Sequence, residues 1–415
     1  MNDISVWRFP LSLVLALLFV TGGFLLWRYL PDGRLRRILT GRALGAIAIS
    51  LLAIMTAVEG TWGIPLHRSP LLCGVAMLMM FSLEMAIPGN LQGGRVSSAL
   101  VNHAGMLLLV SGAFWGAPDF VDAQMTVTGD EAGNVAYSAE GRAVTLPFNI
   151  RLENFTIDFY DDGISPKQYV STLDIDGRQL VTSVNHPCRY RGYRIYQYGY
   201  DSENGEYAVL KLVRDPWLTM VYAGMLLLAT GAFMRLRLDW NSRWLGIALV
   251  VTAVLFTAIS VARINFGTLV PALRSWWFVP HLVMYMIAYS SLALALISGV
   301  LSLSLVHSER FGTRAERFGV LSCKLSDTAS SLLLLGMLCG AVWAKQAWGD
   351  WWTWDTKECW AAVTWLATLM GQHIPSRNRN VTVFVFIVIS FIAMQVAWYG
   401  VDILPAADAS LHTYR

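Results

Sequence analysis

Apolar runs of about 20 residues, the length at which a helix crosses ~30 Å of hydrocarbon, recur along the chain and are broken by short polar stretches. Ten of them are predicted as transmembrane helices, over 9–30, 43–58, 70–87, 96–116, 216–233, 244–261, 279–305, 326–343, 359–373 and 381–399. Arginine and lysine collect in alternate connections: Arg28, Arg34, Arg36, Arg37 and Arg42; Arg95; Arg235, Arg237 and Arg243; Arg310, Arg314, Arg317 and Lys324; Arg377 and Arg379. Basic residues in short loops mark the cytoplasmic side, so these five connections fall there, and both termini face outward. The first run leads into Arg-rich sequence without a small-residue cleavage site, and is expected to be a retained span.

The long connection at about 117–215 has a different rhythm. In FNIRLENFTIDFYDDG, Phe148, Ile150 and Leu152 share one face of a strand. Phe155, Ile157 and Phe159 resume the alternation after a phase shift at Glu153 and Asn154 that a β-bulge absorbs. Asp161-Asp162-Gly163 is a turn signal, and 169–175, 192–200 and 207–213 are further strand candidates. The expected fold is thus a polytopic α-helical membrane protein of about ten spans with one small antiparallel β domain outside the membrane. That domain shows no nucleophile–base pair, metal spacing or phosphate loop, and reads as a docking or scaffolding module.

Composition agrees with this solvent: of 415 residues 55% are hydrophobic and 14% charged, and the mean hydropathy is +0.49. The formal net charge of +3 adds nothing beyond the loop asymmetry, and no nucleic-acid partner is expected. The five cysteines form no disulfide framework, and no C-x-x-C-H is present, so the chain cannot attach haem covalently to itself.

Candidate chemistry lies in the histidines and tryptophans. His67, His186 and His307 fall in polar connections and are read as surface residues. His103 and His373 lie in the cytoplasmic halves of the fourth and ninth spans; His281 and His412 lie at outer span ends. A lone intramembrane histidine commonly bonds a neighbouring helix, whereas two opposed imidazoles are the axial set of a low-spin haem. Between the eighth and ninth spans stands WGDWWTWDTKECW, 348–360, and seven of the chain's 17 tryptophans fall within 343–365. An interfacial aromatic belt distributes its tryptophans over many helix ends; this cluster is interleaved with acids and suits a platform for a flat apolar ligand. A respiratory cytochrome b is the rival membrane haem protein, but it wants two histidines on one helix 13 or 14 residues apart, and no span here has them.

WGDWWTWDTKE closely resembles the tryptophan-rich "WWD" signature of haem-handling membrane proteins of cytochrome c biogenesis, including the CcsA component of the system II synthase and its relatives CcmC and CcmF. That family has Pro where Thr356 stands. ALGAIAISLLAIMTAVEGTWGIPLHRSP, the span carrying His103, and the outer stretches FNIRLENFTIDFYDDG and VNHPCRYRGYRIYQYGYD resemble the partner component CcsB, or ResB. The chain thus resembles a CcsB–CcsA fusion, with an extra first span at 1–40, a ResB-like part at 41–240 and a CcsA-like part at 241–415 whose Trp-rich loop lies at 343–360.

The resemblance implies haem b as transported substrate, with His103 and His373 as inner iron ligands and His281 and His412 as outer ligands and catalytic residues. Trp348, Gly349, Trp351, Trp352, Trp354, Asp355 and Glu358 would form the outer haem surface. Asp355 and Glu358 would orient neighbouring side chains, leaving Arg274, Lys345 and Lys357 as the better propionate partners. The implied activity is that of a cytochrome c synthase: haem is exported and joined to the C-x-x-C-H thiols of apocytochrome c, by positioning, without a protein nucleophile. Thiol-reducing assembly factors would be partners, and the location the bacterial cytoplasmic (inner) membrane with the active site on its outer, periplasmic face. The alternative is a haem exporter or delivery chaperone without ligation activity.

Overall fold

A computed structural model describes residues 7–91, 96–201, 206–236, 243–261, 266–306, 312–374, 378–401 and 403–407. The predicted spans are all helices: α1 (Leu11–Tyr29), α3 (Arg42–Trp62), α4 (Pro70–Leu91), α5 (Ser98–Gly116), α6 (Leu218–Arg235), α7 (Arg243–Val261), α8 (Phe278–Leu305), α9 (Gly312–Ala347), α10 (Thr356–His373) and α11 (Arg379–Gln395). A short α2 (Arg34–Leu39) occupies the first Arg-rich connection. Among the described residues, eight of these helices are long and apolar enough to cross a membrane. The other two predicted spans are α7, whose apolar stretch Leu245–Ala258 is shorter, and α10, which carries Lys357, Glu358 and His373 near its ends.

One connection differs from expectation. Arg314, Arg317 and Lys324 lie on α9 and not in a loop, because α9 runs 36 residues. At about 1.5 Å per residue it is far longer than the hydrocarbon is thick. Its first turns are amphipathic: Ala315, Gly319 and Ser322 are buried, and the Ser322 hydroxyl donates to the α8 carbonyl of Ala295 at 2.7 Å. The helix therefore continues beyond the apolar run for as long as one face packs on α8. α10 packs on both α3 and α11, so front and rear of the chain share one bundle.

The outer segment forms one eight-stranded antiparallel sheet in the order β5-β4-β3-β2-β1-β8-β7-β6. Its strands are β1 (Val121–Thr128), β2 (Gly133–Tyr137), β3 (Ala143–Phe159), β4 (Pro166–Ile175), β5 (Arg178–Ser183), β6 (Cys188–Tyr190), β7 (Tyr193–Tyr200) and β8 (Tyr207–Arg214). The phase shift at Glu153 and Asn154 is a register irregularity between Leu152 and Asn154 against β4. At the Asp161-Asp162-Gly163 turn, Asp162 accepts from the Ile164 and Ser165 amides and Gly163 sits at φ +67°. Alternate side chains, among them Met125, Phe148, Ile150, Leu173, Ile195 and Leu212, form the buried core of the domain. Each such side chain contributes about 1.5–3 kcal/mol when taken from water.

The sheet is bolted to the helical bundle by polar groups. Tyr196 donates its hydroxyl to the Lys345 carbonyl at 2.8 Å, Tyr160 to the Leu269 carbonyl at 2.9 Å, and Asn185 donates to the Pro271 carbonyl at 2.8 Å. Lys211 of β8 pairs with Asp350 of the Trp-rich loop at 2.6 Å and with Asp122 of β1 at 3.1 Å. Burial alone would lower the Lys211 ammonium pKa, but the two carboxylates outweigh it and hold that pKa above its ordinary value. A buried ion pair broken on one side leaves an uncompensated charge costing about 3–5 kcal/mol, so Lys211 fixes the sheet against the loop.

Candidate functional site

Two clusters form at opposite ends of the bundle. At the cytoplasmic end expected from the arginine pattern, α5 is started by Ser97, whose hydroxyl caps the Leu100 amide at 3.1 Å. This sets His103 on the second turn. His373 is the last residue of α10. The two rings lie 6.2 Å apart, centre to centre, at 59°. With metal–imidazole bonds of about 2.0 Å and a ring nitrogen roughly 1 Å from its centre, two imidazoles opposed on one metal stand about 6 Å apart.

Nδ1 of His373 donates to the Leu369 carbonyl at 2.8 Å, so Nε2 carries the lone pair a metal takes. Nδ1 of His103 lies 3.3 Å from the Asn90 amide of α4. At the same end of the bundle Arg235 of α6 pairs with Asp327 of α9 at 2.9 Å.

At the other end the Trp-rich loop joins α9 to α10. Gly349 turns the chain at φ +90°, and a Cβ there would stand 3.0 Å from Tyr196 and from Val213, so a larger residue would push the loop off the sheet. Asp350 meets Lys211, and Trp351 packs edge-on against Tyr222 of α6 with ring centres 5.1 Å apart. Trp348 meets Trp343 at 5.7 Å, and Trp352 meets Trp354 at 6.3 Å.

Asp355 is the N-cap of α10 and accepts from the Lys357 amide at 2.7 Å, while Glu358 reaches back to the Thr353 amide at 2.7 Å and its hydroxyl at 3.0 Å. Asp355 thus caps the helix, and Glu358 ties the preceding loop back onto its first turn. Thr356 sits at the first helical position, which tolerates Pro well. Its hydroxyl instead donates to the Ala406 carbonyl at 3.2 Å.

His281 begins α8 under this loop. Its Nδ1 donates to the α9 carbonyl of Gly336 at 2.9 Å, making Nε2 the lone-pair nitrogen, and its ring lies against Gly340 between Tyr285 and Trp343, 4.9 and 5.9 Å away. His412 lies outside the described residues. The segment leading toward it is held at this end, where the Ala406 amide donates to the Thr61 carbonyl at 3.3 Å.

Two expected propionate partners are otherwise engaged. Lys345 is 1% exposed. Its ammonium donates to the Gly349 carbonyl at 2.8 Å and lies over the Trp351 and Phe120 rings. Arg274 donates to the Lys167 carbonyl at 3.2 Å and covers Tyr160. Lys345 thus holds the Trp-rich loop, and Arg274 ties the connection before α8 to the sheet. Among the described residues no group of three or more His, Cys, Asp or Glu could hold a bare metal ion.

His67 was expected at the surface and is only partly exposed. Its ring lies parallel to Trp354, 5.3 Å away at 8°, and its Nδ1 is bonded to the buried Glu59 carboxylate, whose other oxygen accepts the His67 amide at 3.0 Å. Trp354 is held at φ +59°, a conformation that a bulky side chain adopts only when its surroundings enforce it. The available sequence signal was Glu59, an acid within an apolar run. His67→Ala should loosen Trp354 and lower the haem retained by purified protein several-fold, whereas His67→Phe, which keeps a flat ring, should retain most of it; absorbance at the Soret band reads both.

Comparison with known proteins adds the family. A cytochrome c assembly protein model matches residues 217–406, and a ResB-like family model matches residues 94–206. The chain is a ResB–CcsA fusion of system II cytochrome c biogenesis. Similar proteins named "Cytochrome c biogenesis protein CcsA" occur in Prochlorococcus marinus subsp. pastoris, 29% identical over 36% of this chain and 56% of the relative, and in Pyropia yezoensis, 26% identical over 48% and 78%. A third, from Guillardia theta, is 25% identical over 48% of this chain and 76% of the relative. The fusion thus spans 56% of the length of the first of these relatives and about three quarters of the other two. Its role lies in cytochrome c biogenesis and haem handling. His103 belongs to the ResB-like match and His373 to the assembly match, so the inner pair joins the two families' segments.

Proposed function

We propose that the fusion is a cytochrome c synthase of the bacterial cytoplasmic membrane, which takes haem b from the cytoplasmic side and joins it to apocytochrome c on the outer, periplasmic side. The observation that carries this reading is the opposition of His103 and His373, contributed by different halves of the chain at the spacing a single metal requires. The bond from Nδ1 of His373 to the Leu369 carbonyl leaves Nε2 as the nitrogen that would hold the iron. The outer site takes His281, oriented in the same way through Gly336, and His412 as iron ligands, with Trp348, Gly349, Trp351, Trp352 and Trp354 as the surface on which the porphyrin lies. Asp355 serves that surface by capping α10, and Glu358 by tying the loop onto its first turn.

The ligation itself is an addition. Each thiol of the C-x-x-C-H segment loses its S–H bond, the sulfur bonds the inner vinyl carbon, and the proton ends on the outer one. No electron is gained or lost, so the chain's contribution is positioning and exclusion of water. A disulfide cannot add in this way, hence the need for thiol-reducing partners. Co-expression with an apocytochrome c in a host lacking its own assembly machinery tests the reading. Covalent haem in the cytochrome is the expected result; a haem-loaded fusion beside an unmodified apocytochrome would make it an exporter or chaperone.

A further inference from the structure

A cavity of about 420 Å³ lies where the sheet meets the bundle, lined by Asn185, His186, Arg189, Arg194, Tyr222 and Trp277 together with the last turns of α9. No acidic residue lines it among those described. One wall carries the guanidiniums of Arg189 and Arg194 from the sheet; the other is aromatic, from the bundle. The guanidinium of Arg194 lies beside the hydroxyls of Tyr222 and Tyr196, which place it at the wall.

Unmet polar atoms lie at this cavity and next to it. The Trp351 indole N–H, across Tyr222, is buried with no acceptor. Asn185, 3% exposed, gives its amide N–H to carbonyls of Pro271, Ala272 and Arg274, while its buried Oδ1 has no donor. A ligand that ends in a carboxylate supplies the acceptor that the two arginines of the lining call for.

Trp277 connects the cavity to the outer histidine. The His281 amide donates to the Trp277 carbonyl at 3.1 Å, so the two side chains stand one helical turn apart on α8. A flat ring system whose iron is held by His281 would bring its edge to the cavity. We infer that this cavity receives the propionate carboxylates of haem in the outer site, with Arg194 and Arg189 of the sheet as their charge partners. This rests on the reading of His281 as an iron ligand, and it gives the soluble domain a direct part in binding haem. It also accounts for the engagement of Lys345 and Arg274 elsewhere: the cations for the carboxylates come from the ResB-like strands.

Titration of the purified full-length fusion, in a His103→Ala background that removes the inner pair, with haemin and with haemin dimethyl ester tests this. The ester keeps the iron and the ring but has no carboxylate. The unsubstituted cavity should bind haemin at least about tenfold tighter than the ester, the worth of one charge-assisted hydrogen bond. Arg194→Gln and Arg189→Gln should each remove about that factor for haemin and leave ester binding unchanged, which also shows that the variants fold. Equal binding of acid and ester, or equal losses of both in the arginine variants, would overturn the inference. Binding of neither ligand by a protein whose arginines are intact would instead defeat the reading of an outer haem site.

Discussion

Replacing either His103 or His373 by alanine should strip haem from the purified fusion and lower cytochrome c yield in step with it. If one iron is held between the two rings, loss of either leaves it with a single axial imidazole. Alteration of residues that merely orient metal ligands already weakens metal sites about 10–100-fold, so loss of a ligand should lower haem occupancy at least about tenfold. The two losses should not add: the double variant should behave as either single one, because residues acting on one bound atom form a unit. Pyridine haemochrome content of the purified variants and cytochrome yield from co-expression measure both effects. Normal haem content in both single variants would return the rings to ordinary hydrogen bonding, His103 with Asn90 of the neighbouring α4 and His373 with Leu369 of its own helix.

This pair was legible in the sequence because it is made of rare residues in apolar runs, where an imidazole needs a reason. The helices were legible for a similar cause: hydrocarbon thickness imposes a minimum apolar length, although packing on α8 carries α9 well beyond it. The bulge at Glu153 could be read because alternation on the two sides of it is out of phase. β1, β2, β5 and β6 left a weaker trace. β2, β5 and β6 are only five, six and three residues long, whereas β1 alternates in VDAQMTVT and lacked only a visible partner, since it pairs in full register with β8 from the far end of the domain.

Contacts between distant segments were invisible for the same reason. Nothing local to His67 announces that Trp354 will lie on its ring, and nothing local to Lys345 announces that Gly349 will take its ammonium. Sequence gives the inventory of charge; packing decides which charges remain available to a ligand. Arg189 and Arg194 stand in CRYRGYR among strand residues, and only the docking of the sheet on α6, α8 and α9 turns them toward a cavity shared with Trp277.

His281→Ala should abolish cytochrome c formation, and millimolar imidazole should partly restore it. The ring stands at the start of α8, beside the Trp-rich loop and near the cavity under the sheet, so a free imidazole reaching that site from solution can take the vacated position. His412→Ala should respond in the same way. A third variant separates iron ligation from mere packing. A methyl group on Gly340 would stand 2.8 Å from both Cε1 and Nδ1 of His281. The ring has little room to retreat, since Tyr285 and Trp343 lie 4.9 and 5.9 Å from it, and any retreat stretches the 2.9 Å bond to the Gly336 carbonyl that sets its tautomer. Gly340→Ala should therefore lower synthesis by tenfold or more, on the scale of losing an orienting partner at about 10–100-fold. Imidazole should not rescue it, because the displaced ring still fills the place. Trp352→Ala and Trp354→Ala should likewise resist rescue, since they remove surface and leave the ligand in position. The haem spectrum and cytochrome yield with and without added imidazole read all of these variants. If His281→Ala and Gly340→Ala both keep a normal spectrum and yield, His281 is not a ligand to haem iron.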